Sequence, residues 1–259
     1  MKVLFVGDIV GNPGREVFAR LVPAMKASRE VDFVIANAEN AAGGSGITEK
    51  IAREIFLSGC DVMTLGDHVW DRRELYPYLD QEERILRPAN CAPMAPGHGS
   101  CLVEAPGGIL LGVVMLLGRT FIKYSSDCPF RVLDTILAEM RQKTPHIIVD
   151  FHAEATSEKV AMGWHADGRV SAVLGTHTHI QTADERVLPG GTAYLTDAGM
   201  TGPYDSVIGQ KKELILDRYT TGLPCRFEIA SAPGTLCGAI VDLDEGTGKA
   251  RSIQRVQRA

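Results

Sequence analysis

The chain has 259 residues, 45% of them hydrophobic and 23% charged, with a formal charge of −5. That length suffices for a sizeable core, so a globular chain forming one domain, residues 1–259, is expected. The negative balance and the lack of any basic run leave nothing to neutralise the phosphates of a nucleic-acid duplex, which excludes that partner but leaves open a small anion held through metal.

The N-terminus, MKVLFVGDIV, carries an apolar run that meets Asp8 at once. It is too short for a signal-peptide core or a membrane span, so no membrane association is expected and the location is read as cytoplasmic. KVLFV is followed by a helix-periodic segment from Arg15 to Lys26, then VDFVIA, a helix candidate from Thr48 to Leu57, and DVMTL. Pro88 to Ser100, rich in Pro and Gly, is a long surface loop. The alternation resumes with Ile109 to Met115, a helix candidate from Phe130 to Lys143, the run HIIVDF, another helix from Thr156 to His165, and RVSAVL. This is α/β organisation. Beyond residue 180 short strand-like runs (Glu185 to Leu188, Thr192 to Leu195, Arg226 to Ile229, Leu236 to Leu243) flank one helix candidate, Ser206 to Asp217, and predict a second sheet. Cys60, Cys91, Cys101, Cys128, Cys225 and Cys237 form no CxxC pair, so they are read as reduced thiols rather than a zinc ribbon or a disulfide framework.

Five apolar strand candidates end in residue types that bind metals. VLFVG runs into Asp8, VDFVIAN into Glu39 and Asn40, DVMTLG into Asp67 and His68, HIIVDF into His152, and SAVLG into His177 and His179. Each alone has an ordinary structural reading: a helix cap or phosphate turn at Asp8, turn residues at Glu39 and Asn40, a cap at Asp67, core or loop histidines at the rest. Ligands of open α/β sheets gather outside the carboxyl ends of the strands, however, and five such ends share one crevice. His177 and His179, at positions i and i+2 of an extended segment, project to one side. Carboxylates mixed with imidazoles suit Mn, Fe or Zn better than Ca or Mg. Seven candidates, Asp8, Glu39, Asn40, Asp67, His152, His177 and His179, exceed the needs of one ion and suffice for two about 3.5–4 Å apart.

The blocks GDIVG, NAEN, GDHVWD, DFHAEATSEK and GTHTH, with the TADER that follows, run in the order that marks the metallophosphoesterase superfamily, and across nearly the whole chain they resemble its YmdB-type branch. Two departures from the broader superfamily stand out: Val10 occupies the usual histidine position of the first block, and Asp67 stands where GNH has asparagine. The resemblance implies a four-layer α-β-β-α sandwich with two mixed sheets. It implies two divalent or trivalent transition metals, Fe or Mn first and Zn as the alternative. One ion would be held by Asp8, Glu39, Asn40 and His179, the other by Glu39, Asp67, His152 and His177, with Glu39 bridging. His68 is implied as the proton donor to the leaving oxygen.

The expected reaction is hydrolysis of a small phosphodiester, with cyclic nucleotides of the 2′,3′-cyclic AMP class implied by the resemblance. A metal-bridging hydroxide would attack and His68 would act as general acid. Phosphomonoesterase activity, or a metal- and nucleotide-binding regulator with little turnover, are the rival readings. A homo-oligomer rests on the resemblance alone. Asn12, Lys159, Thr178 and Gln181 receive no role, and His98, His146 and His165 are read as structural or surface histidines.

Overall fold

The structure, a computed structural model, describes residues 1–259. In chain order the elements are β1 (Lys2–Val6), β2 (Asp8–Ile9), α1 (Gly11–Ala27), β3 (Phe33–Asn37), α2 (Glu49–Leu57), β4 (Val62–Thr64), α3 (Tyr76–Leu79), β5 (Ile85–Leu86), β6 (Ser100–Ala105), β7 (Ile109–Leu117), α4 (Pro129–Met140), β8 (Ile147–His152), α5 (Thr156–Ala166), β9 (Ala172–Thr176), β10 (Arg186–Val187), β11 (Ala193–Leu195), β12 (Met200–Pro203), α6 (Lys212–Thr221), β13 (Gly234–Leu243) and β14 (Ala250–Arg258). No helix is long and apolar enough to cross a membrane.

The strands form two mixed sheets. One has eight strands in the order β2-β12-β13-β1-β3-β4-β5, with β14 added on β13; the other has six, β10-β11-β9-β8-β7-β6. The pleat explains the layering, because successive side chains of a strand face opposite ways. In β1, Val3 and Phe5 point between the sheets and pack with Val113, Met115, Ile148 and Leu174 of the second sheet. Leu4 and Val6 point outward to Phe18 and Val22 of α1 and Ile55 of α2. In the second sheet Val149 and Phe151 turn the other way, onto Leu133 and Leu137 of α4 and Met162 of α5. Three apolar layers thus separate four layers of structure, the α-β-β-α sandwich expected.

β1, β3, β4 and β5 run parallel, as do β7, β8, β9 and β11, and the carboxyl ends of both sets open on one side. The strands beyond residue 180 do not make a sheet of their own. β10 and β11 extend the sheet begun by β7, whereas β13 returns antiparallel against β1, with Leu4 opposite Ile240. A run that is apolar on both faces carries no mark of its neighbour. Two further boundaries move. The last helix begins at Lys212, not Ser206, because Ile208 and Gly209 take positive φ (46° and 97°) and turn the chain. Arg226 to Ile229 is not a strand; it meets its neighbours through an isolated bridge between Gln210 and Ile229.

Candidate metal centre

Each block delivers its side chain from a strand end to the same crevice. Glu39, Asp67, His152 and His177 each present a donor atom within 4.8 Å of the others. His152 Nε2 lies 3.1 Å from Glu39 Oε1, 3.1 Å from Asp67 Oδ1 and 2.9 Å from His177 Nδ1. Next to them, His179 Nε2 is 3.8 Å from Asp8 Oδ1 and 3.2 Å from Asn40 Nδ2, and Asn40 also reaches Glu39 Oε1 at 3.2 Å. The seven sequence-derived candidates therefore fall into two adjoining groups, with Glu39 between them.

Three observations fit this donor set to a cation. Asp8 is wholly buried, yet its Oδ1 has no hydrogen-bond partner, an expensive state for a carboxylate that no positive charge compensates. A Cβ on Gly66 would lie 2.4 Å from Glu39 Oε2 and 2.4 Å from His152 Nε2, so only glycine leaves the donors their room. The charges also call for a cation: burial would lower the pKa of His152, but Glu39, Asp67 and Asp8 outweigh it and hold the ring's proton well above the ordinary imidazole range. Burial likewise would raise Glu39, yet His152 and His68 bring it below the usual carboxylate range. Asp8, with burial dominant, is raised. A bound cation would take the place of that imidazole proton, with the freed nitrogen lone pair as its ligand.

The backbone that carries the histidines is strained. His177 and His179 have φ of 101° and 65°, left-handed values that non-glycine residues seldom adopt. Asp197 holds them there: its Oδ2 accepts from Thr178 N (3.1 Å) and Thr178 Oγ1 (2.8 Å), and it pairs with the buried Lys159, whose Nζ also donates to Thr176 O at 2.7 Å. Lys159 and Thr178 thus have structural work under the site.

Asp150, which the sequence left unremarked, does more. It lies buried between the sheets, and burial pushes its carboxyl pKa up to about 6 even though hydroxyls donate to it. Oδ1 accepts from Thr176 Oγ1 (2.7 Å), and Oδ2 from Thr64 Oγ1 (2.5 Å) and Asn37 Nδ2 (3.3 Å). Thr176 Oγ1, its proton committed to Asp150, accepts from His152 Nδ1–H at 2.9 Å, which fixes the tautomer with Nε2 free toward the cluster. Asn37 Oδ1 in turn accepts from Glu39 N at 3.2 Å. One carboxylate thereby orients both an imidazole and the central glutamate. Its partners stand on β3, β4 and the end of β9, so only the assembled sandwich reveals it.

His68 stands at the mouth. Its N donates to Glu39 Oε2 at 3.1 Å, and its Nδ1 lies 2.8 Å from Asp71 Oδ2. Its pKa is raised: burial opposes the charged ring, but Glu39, Asp67 and Asp71 prevail. Glu154 Oε2, also missed in the sequence, is 3.1 Å from His177 Nε2. A cavity of about 390 Å³ opens here, bounded by the cluster, His68 and Glu154 on one side and by Ile208, Ile215, Tyr219 and Phe227 on the other. The loop from Pro88 to Ser100 is not part of its lining. His98, His146 and His165 lie away from the cluster, with His165 paired to Asp134 at 3.0 Å.

A family model described as YmdB-like protein matches residues 4–256. A protein of Bacillus subtilis (strain 168) named 2′,3′-cyclic-nucleotide 2′-phosphodiesterase is 49% identical over 99% of this chain and 96% of its own length. Among solved structures, a hypothetical protein from Thermus thermophilus superposes with a TM-score of 0.92 at 41% identity, covering 99% of this chain and 98% of that one. A novel phosphatase from Mycoplasma pneumoniae gives the same TM-score at 32% identity, over 99% and 92%.

Proposed function

Because the chain belongs to the YmdB-like family, we propose that it is a metal-dependent phosphodiesterase acting on small cyclic nucleotides of the 2′,3′ class, with residues 1–259 as one catalytic domain. The observation that carries the reading is the convergence of strand-end donors on two adjoining groups that share Glu39. In this reading Glu39, Asp67, His152 and His177 hold one transition-metal ion, and Asp8, Glu39, Asn40 and His179 a second. Their mixed oxygen and nitrogen donors suit Fe or Mn, with Zn as the alternative; cellular supply decides between them, since intrinsic affinity favours Zn. When bound, the pair supplies Lewis acidity toward both the phosphate and the attacking water.

The chain's own groups do the rest. Asn40 has its Nδ2 3.2 Å from both Glu39 Oε1 and His179 Nε2, and as a ligand of the second ion it would present its oxygen instead, by a flip of the side-chain amide. Asp71 fixes His68 through Nδ1, leaving Nε2 as the position from which a proton passes to the departing ester oxygen. Buried Glu39 and His152 keep bulk water from the floor of the site. The six cysteines are free thiols, which accords with a reducing, cytoplasmic setting.

The test is metal content per chain on native protein, with turnover of bis- and mono-p-nitrophenyl phosphate by the wild type, Glu39→Gln and His68→Ala. Two transition-metal equivalents and a preference for the diester are expected. Glu39→Gln should lose metal and activity together, while His68→Ala keeps its metal and loses about 10²–10⁴-fold in kcat. A strong monoester preference, or full activity in metal-free protein, would sink the proposal.

A further inference from the structure

The apolar wall of the cavity has no part in metal binding or proton transfer, yet it is built at some cost. Tyr219, Phe227 and Ile208 leave 80%, 48% and 47% of their surface in water. Single exposed hydrophobics are ordinary; three that line one side of a polar crevice are not. Ile208 is β-branched and held at φ 46°, a left-handed conformation that such residues avoid. Its carbonyl accepts from His179 Nδ1–H at 3.0 Å, so a proposed metal ligand fixes the wall at a set place relative to the reacting phosphate.

The lining also limits what can lie there. It contains the carboxylates of Glu39 and Glu154 but no Lys or Arg; Arg218, outside the lining, packs over one face of the Phe227 ring, 4.9 Å from its centroid, and leaves the other face for a ligand. A second phosphate, a polyphosphate or an oligonucleotide backbone would therefore remain uncompensated against it. A flat uncharged aromatic body would instead cover the tyrosine and phenylalanine rings, as bases do on aromatic platforms. At about 390 Å³ the cavity is within the range of small-ligand sites. Gln210, on the same side, has an Oε1 without any partner in the protein, an acceptor suited to an exocyclic amino group.

We propose that Tyr219 and Phe227, with Ile208 beside them, form a stacking platform for the nucleobase of a cyclic mononucleotide whose phosphodiester sits at the metal cluster. The platform rests on the phosphodiesterase reading and determines specificity rather than chemistry. It makes the base, not the ribose phosphate alone, a source of apparent affinity.

The test compares kcat/KM of the metal-loaded full chain for 2′,3′-cyclic AMP and for glycerol 1,2-cyclic phosphate, which has the same five-membered diester ring and no base. The nucleotide-to-glycerol ratio should be well above one in the wild type. It should fall about tenfold in Tyr219→Ala and in Phe227→Ala, mainly through a higher KM for the nucleotide. Tyr219→Phe should restore it. Leu216→Ala, on the same helix and also exposed but outside the cavity lining, should leave it where it was. A wild-type ratio near one, or a ratio that neither alanine variant moves, overturns the platform while the phosphodiesterase reading stands. A wild type that cleaves neither ester overturns that reading, and the platform with it.

Discussion

Asp8, Glu39 and His152 on the floor of the cavity have almost no surface in water, whereas Tyr219 and Phe227 on its rim stand largely exposed. The floor is cross-braced: Asp150 ties Asn37, Thr64 and Thr176 across both sheets, and through them Glu39 and His152. The rim is joined to its surroundings by main-chain bonds at the surface, among them Lys211 N to Glu228 O and Ala230 N to Gly209 O, and to the floor by His179 Nδ1–H to Ile208 O. A close-packed, hydrogen-bonded floor has one arrangement and fails when an atom is added. An exposed rim can change its side chains without disturbing that arrangement. The fold can thus keep one reaction while the rim sets what is bound beside it.

The largest expected effect is a single methyl on the floor. In Gly66→Ala the new Cβ would collide with Glu39 Oε2 and His152 Nε2, both on buried side chains that have no other position to take. Metal content should fall from two equivalents to one or none, with far-UV circular dichroism still native. Retention of both equivalents would mean that the floor yields, and the contrast with the rim would break. Asp150→Asn comes next. It keeps the shape but weakens the acceptor that orients Thr176 and hence His152, so metal affinity measured by calorimetry should drop about 10–100-fold. Thr176→Ser, which retains the hydroxyl, should keep most of that affinity; equal losses in both variants would point to general loosening instead.

The floor was readable in the sequence because each donor directly follows an apolar run, and a strand that ends in Asp, Glu or His at the same edge as its neighbours points to one crevice. Asp150 was not readable, since a lone acid inside HIIVDF gains meaning only from residues 37, 64 and 176, which the two sheets bring to it. Nor was the rim. Ile215 and Tyr219 stand four apart on one face of α6, but nothing in that spacing says what the face meets: Ile208 and Phe227 lie outside the helix, and the turn at Ile208 and Gly209 moves its start by six positions from Ser206 to Lys212. The partner of β13 was hidden for a related reason: the run from Leu236 to Leu243 is compatible with either sheet, and pairing with β1 is decided by tertiary packing.

The smallest effect sharpens the contrast most, because it is the same substitution placed on the other side of the cavity. Gly222 ends α6 in the left-handed region, φ 72°, and its N donates to Arg218 O at 2.9 Å. An added Cβ there meets nothing within 4 Å, so the penalty of Gly222→Ala is conformational only, about 1 kcal/mol. For a chain of this size that corresponds to a fall in Tm of about 2–4 °C. Metal content should be unchanged. The two alanines then separate two kinds of cost: Gly66→Ala adds an atom where there is no space, and Gly222→Ala adds one where there is space but an unfavourable φ. Should Gly222→Ala also deplete metal, the rim would be mechanically joined to the floor through the Ile208 carbonyl and His179, and base binding and metal binding would have to be treated as one coupled event.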